Sequence, residues 1–230
     1  TMYAWSSGTS HSTPAASGAA GLIYYQYNAK AGVPPSPALM KAVFIGTADD
    51  MVGGNNGAAG VLGNHPDNIQ GWGRINLGTA FDGTSNLYYD QTYLFTATGQ
   101  NYSPVPIFSV MDPLKPVKVV LVWSDAPGST AVPGGGLNNN LDLTVTAGAG
   151  AYLGNNFAGG WAVTGGAADA LNNVESVFLP AGAATTFSLS IKHISEAFLR
   201  ASASSSSRGS GLSIKSSLAR PSGLPPRMTS

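Results

Sequence analysis

Gly8-Thr9-Ser10-His11-Ser12-Thr13-Pro14, running into Ala15-Ala16-Ser17-Gly18-Ala19-Ala20-Gly21-Leu22, sets a serine at the mouth of a small-residue helix. A serine hydroxyl is a weak nucleophile at neutral pH and needs a base beside it and an oxyanion site facing it. A helix N-terminus supplies part of that setting, because its unpaired backbone N–H groups favour developing negative charge. Gly8 permits a sharp turn ahead of Ser10, and Pro14 is expected in the first turn, where a missing N–H costs little. The Ala, Gly and Ser that follow predict a buried helix packed closely on its neighbours and ending in the bulk of Leu22, Ile23 and Tyr24. Taken alone, Gly-Thr-Ser is equally a loop with Ser10 as an N-cap.

Two later stretches narrow the choice. Pro35-Ser36-Pro37-Ala38-Leu39-Met40-Lys41-Ala42-Val43 predicts a second helix, with Ser36 as N-cap and Pro37 at the first helical position. Gly71-Trp72-Gly73-Arg74-Ile75-Asn76-Leu77 follows some thirty residues on. In this order the three segments resemble the nucleophile helix, the next helix and the closing Gly-Trp-Gly-Arg signature of subtilisin-like serine proteases. The resemblance covers residues 1 to about 82. It implies an α/β fold, of which this chain carries a C-terminal part, and a serine endopeptidase that hydrolyses peptide bonds through an acyl-enzyme on Ser10. The backbone N–H of Ser10 would be half of the oxyanion hole, with Gly8, Thr9 and His11 in the substrate and oxyanion vicinity. No cofactor is implied for catalysis.

The family's triad runs Asp, His, Ser along the chain. The nine residues before Ser10 contain neither Asp nor His, so the resemblance places both upstream of this segment, and the chain by itself is expected to be inactive. The local histidines are poor substitutes. His11 is adjacent to Ser10, and helical neighbours do not face each other; it is expected on the leaving-group side. His65 lies in the loop Asn64-His65-Pro66-Asp67, and His193 closes a strand-like run.

Composition bounds the rest. Charged residues make up 10% of the 230, the formal net charge is zero, and there is no cysteine. A nucleic-acid binder would show a basic face, and no apolar run reaches membrane-spanning length. The composition thus points to no nucleic acid and no membrane, and the family resemblance implies protein or peptide substrates as partners. A lack of cysteine excludes disulfides and is compatible with secretion, the location the family resemblance implies.

From Tyr88 the periodicity turns strand-like, in Tyr93–Thr98, Val117–Trp123, Leu141–Val145, Val174–Leu179 and Phe187–Ile191. Short strands separated by turn clusters predict a β-sandwich. Val122-Trp123-Ser124-Asp125-Ala126-Pro127 and Asn172-Asn173-Val174-Glu175 resemble the jelly-roll domain that follows some subtilisin-like catalytic domains. The organisation read from the sequence is thus residues 1–85, catalytic; 86–193, jelly-roll sandwich; and 194–230, tail. The loop at residues 47–70, with Asp49-Asp50 and Gly53-Gly54-Asn55-Asn56-Gly57, is expected to be solvated turn structure.

Asp125, Asp142, Asp169 and Glu175 are four of eleven acids, each at a strand end or beside Asn or Gly. Calcium takes six to eight oxygen ligands, and the jelly-roll resemblance implies structural calcium near these loops. Ordinary turn acids are the alternative. The tail holds five of the eleven basic residues and one of the eleven acids among many serines. Such a composition predicts disorder, and no closing strand is expected in it. Beside the protease stands a second reading, a non-catalytic calcium-stabilised sandwich module whose leading helices are a remnant.

Overall fold

The computed structural model describes residues 7–58, 60–84, 86–104, 106–127, 137–194, 210–215 and 218–219. Three helices lead, the first two of them expected: α1 (Thr9–Ala31), α2 (Pro37–Thr47) and the single turn α3 (Leu77–Ala80). α2 starts where its sequence dictates. Ser36 is its N-cap and accepts the Leu39 N–H at 3.0 Å, and Pro37 opens the helix. α3 is capped in the same way by Asn76, whose Oδ1 accepts the Thr79 N–H.

Eleven strands follow: β1 (Asn86–Asp90), β2 (Asn101–Tyr102), β3 (Phe108–Val110), β4 (Val117–Trp123), β5 (Asn140–Ala147), β6 (Gly150–Ala158), β7 (Trp161–Thr164), β8 (Val174–Leu179), β9 (Thr186–Ile194), β10 (Ser210–Lys215) and β11 (Leu218–Ala219). They form two sheets. One has four strands in the order β1-β10-β4-β8; the other runs β11-β3-β9-β5-β6-β7, with β2 also pairing β9. Every pairing in them is antiparallel.

The sheets share one core. Val119, Leu121 and Trp123 of β4 and Val177 and Leu179 of β8 meet Leu141, Leu143 and Val145 of β5 and Phe187, Leu189 and Ile191 of β9. Trp123 is fully buried and donates from its indole N–H to the Asn139 carbonyl, so the ring's one polar atom is satisfied. β4 is buried along almost its whole length because both its faces are covered. Its other face, Val120 and Val122, packs with Val174 and Phe178 against Ala38, Ala42 and Ile45 of α2. α1 then rests on α2 through Ile23 and Tyr27 against Leu39 and Val43.

Four expectations are corrected. α1 is not a buried helix: it runs nine residues past Leu22 to Ala31, and only Ala19, Ile23 and Tyr27 are buried on it. Leu22 and Tyr25 stay 54% and 75% exposed, because α2 covers only one narrow stripe. Pro14 stands beyond the first turn, inside the helix. Tyr93–Thr98 forms no strand; the Gln100 side chain accepts the Thr96 and Ala97 N–H groups that a ladder would have used. Lastly, a closing strand does exist in the Ser-rich tail. β10 inserts between β1 and β4, pairing Leu212 with both Tyr89 and Leu121. The rest of residues 195–230, apart from β11, lies outside the described residues.

Candidate functional site

Ser10 occupies the second position of α1, behind Gly8 at φ 138°. That φ belongs to glycine, since a Cβ there is strained. The Gly8 carbonyl accepts the His11 and Ser12 N–H groups at 3.0 and 3.2 Å. Ser12 Oγ and Thr13 Oγ1 turn back onto the Gly8 and Thr9 carbonyls. Pro14 stands four residues after Ser10 and has no N–H, so it cannot close the helical bond to the Ser10 carbonyl. Gly8, Thr9, Ser10 and His11 are all exposed. The His11 ring reaches within 3.8 Å of the place a Cβ on Gly8 would take. The segment thus presents a hydroxyl on an open helix N-terminus, beside backbone donors. No acid lies in the first turn.

His65 and His193 are engaged elsewhere. His65 is 6% exposed, its Nδ1 is 2.8 Å from the Trp72 carbonyl, and its ring lies on Phe178. His193 is 4% exposed and bridges the Ala97 carbonyl and Asn139 Oδ1. Among the described residues no hydrogen bond joins Ser10 to a histidine or an acid.

The Gly71–Asn76 stretch turns out to be a scaffold. Trp72 packs edge-on against Phe157 and Phe178. Gly73, at φ 103°, lets the chain approach Asp49 so closely that a Cβ would come within 2.2 Å of the Asp49 carbonyl oxygen. Asp49 and Arg74 exchange both backbone hydrogen bonds, and the Asp49 carboxylate accepts from Arg74 Nη2 and Asn76 Nδ2. Burial pushes the Asp49 carboxyl up, but those hydrogen bonds and the charges of Arg74 and Lys118 outweigh it and hold the group below its ordinary value.

Each of the four acids of the sandwich has its own hydrogen-bond partners. Asp125 organises a turn, accepting the Ala126, Asn138 and Asn139 N–H groups and Asn139 Nδ2. Asp169 does likewise with Leu171, Asn172 and Asn155; burial raises its carboxyl, and these bonds more than offset that. Asp142 accepts from Asn140 Nδ2, and burial pushes it up. Glu175 is 1% exposed, and its Oε2 accepts the Leu143 N–H at the point where the β5–β6 ladder stops. Gly154 leaves room for it: a Cβ there would lie 2.3 Å from Glu175 Oε2. Burial, with the nearby charges of Asp142 and Asp169, pushes the Glu175 carboxyl up to about 8. Among the described residues no group of three His, Asp or Glu side chains is placed to hold a metal ion.

One residue that sequence reasoning passed over organises this edge. Asn155, at φ 61°, donates to the Val174 carbonyl and accepts the Ser176 N–H, pairing with β8 as a strand backbone would. Its signal was the Gly154-Asn155-Asn156 run, a bulge-like interruption of an otherwise strand-like segment.

A search of curated proteins finds no match to the chain. A family model does: residues 1–73, which carry Ser10, α2 and the start of the Gly-Trp-Gly-Arg stretch, match Peptidase_S8, the subtilase family of serine peptidases.

Proposed function

We propose that Ser10 is the nucleophile of a secreted subtilisin-like serine endopeptidase, and that the β-rich part is a jelly-roll-type domain following the catalytic one. The observation that carries this reading is Ser10 itself, exposed at the second position of a helix whose N-terminus is left open by Gly8, within a segment that matches the subtilase family. In the proposed reaction Ser10 Oγ attacks the scissile carbonyl of a protein or peptide, expelling the amine and leaving an acyl-enzyme that water hydrolyses. The Ser10 N–H faces the developing oxyanion, and His11 lines the leaving-group side. A general base and its orienting Asp, which the family sets ahead of the serine, come from sequence N-terminal to this segment. No cofactor takes part in the proposed reaction. No helix among the described residues is long and apolar enough to cross a membrane.

The test is active-site labelling of the full coding sequence with a fluorophosphonate, followed by peptide mapping. The label is expected on Ser10, with label and peptidase activity both abolished by Ser10→Ala. Undiminished activity in Ser10→Ala, or a label that maps elsewhere, would sink the proposal and favour the non-catalytic module. The 230-residue chain alone is expected to take up no label.

A further inference from the structure

We infer that the β-rich part is a built-in clamp for α2, so that the folding boundary of this molecule lies ahead of Ser36 rather than where the subtilase-like sequence ends. The clamp grips both ends of the helix with opposite charges. At the N-terminus, Asp90, the last residue of β1, accepts the Ser36 N–H through Oδ2 at 2.7 Å and the Ser36 hydroxyl through Oδ1 at 2.5 Å. At the C-terminus, Lys118 of β4 donates from Nζ to the Ala48 carbonyl at 3.1 Å, its ammonium 4.9 Å above the Phe178 ring. An anion at the start and a cation at the end is the arrangement a helix dipole favours. Neither charge comes from the helical segment itself: α2 has no acid in its first turn and no base in its last.

Between the two grips the contact is apolar, Ala38, Ala42 and Ile45 against Val120, Val122, Val174 and Phe178. The chain that follows is fastened to the same ring, with His65 and Trp72 packed on Phe178. α1 makes neither of these grips; it packs on α2 and meets the β-rich part through Tyr27, whose ring centroid lies 6.0 Å from that of Tyr88 in β1. Residues 36–73 are therefore sequence matching the subtilase family that takes its fold from the β-rich part, and α1 with Ser10 is carried on α2 and on Tyr88. This inference stands on the docking geometry and does not depend on Ser10 chemistry.

Hydrogen–deuterium exchange on the intact chain tests it. The α2 amides are expected to exchange within about tenfold of those of β4, while the N-terminal turns of α1 exchange at least about a hundredfold faster. Asp90→Asn and Lys118→Met should each raise α2 exchange by at least about tenfold and leave β5 and β9 unchanged, and Lys118→Arg should restore the wild-type rate. Wild-type α2 exchanging with α1 rather than with β4 would overturn the inference, as would protection of α2 unchanged in both charge-removing variants. If either variant fails to fold, the wild-type pattern still decides.

Discussion

α1 and α2 lie next to each other in the chain and contact each other in space, yet the shorter is far better buried. α1 has 23 residues and buries Ala19, Ile23 and Tyr27; α2 has 11 and buries Ala38, Leu39, Ala42, Val43, Ile45, Gly46 and Thr47. α2 is also the more apolar in sequence, with Lys41 and Thr47 as its polar side chains, whereas α1 carries Thr, Ser, His, Gln, Asn and Lys. The extent of complementary surface separates them too: α2 has the outer face of the four-stranded sheet on one side and α1 on the other, whereas α1 meets α2 and, at Tyr27, Tyr88 of β1 along one narrow stripe. A helix owes most of its stability to the packing of a face, and only α2 has been given enough of one.

The largest effect should come from the core that both layers share. Trp123→Ala removes a fully buried ring and strands the Asn139 carbonyl; it is expected to cost about 3–5 kcal/mol and to melt β4 and α2 in one transition. Denaturant unfolding followed by tryptophan fluorescence and by circular dichroism checks this, and two separated transitions would break the link between sheet and helix.

Next stands Glu175. Its carboxyl is raised from 4.5 to about 8 in the fold, so folding takes up a proton between those values. The stability tied to that proton is fully present below about pH 4.5 and is lost as pH rises through about 8. Glu175→Gln keeps an acceptor for the Leu143 N–H and cannot ionise. The variant is expected to be more stable than wild type at pH 9, by up to about 4 kcal/mol, and nearly equal to it at pH 4.5. Urea midpoints across that range give the answer; parallel profiles would show Glu175 already ionised at neutral pH.

Gly73→Ala sets a Cβ against the Asp49 carbonyl at a left-handed φ and should cost about 2 kcal/mol or more. Thermal melts would register it, and proteolysis at residues 49–74 should quicken. The smallest effect belongs to α1: Leu22→Ala, at a position 54% exposed, should shift stability by no more than about 0.5 kcal/mol. A loss above about 2 kcal/mol would show that α1 has a partner surface after all, and the contrast between the helices would disappear.

Local features were legible where the chain announces its own geometry. Ser36-Pro37 marks the start of α2 because cap and first-turn chemistry act within a few residues. Val174–Leu179 is β8, and the strand-like runs at 117, 141 and 187 lie in β4, β5 and β9. Gly8 and Ser10 could be singled out as a helix start, and Ser10 does stand at one. β10 was hidden by its serines: Leu212-Ser213-Ile214 alternates as a strand should, but the composition around it argued for disorder.

By itself, the sequence determined the helix caps, the principal strands, the glycine at the head of α1 and the match of residues 1–73 to the subtilase family model. Those properties rest on backbone and side-chain preferences that operate over a few residues. Only the tertiary structure decided that α1 is largely exposed, that β10 lies between β1 and β4, and which backbone and side-chain donors the acids of the sandwich meet. Asp90 and Lys118 meet the two ends of α2 across 54 and 70 residues of chain. Burial, charge pairing and strand order depend on which surfaces meet, and no local preference encodes a meeting at that separation.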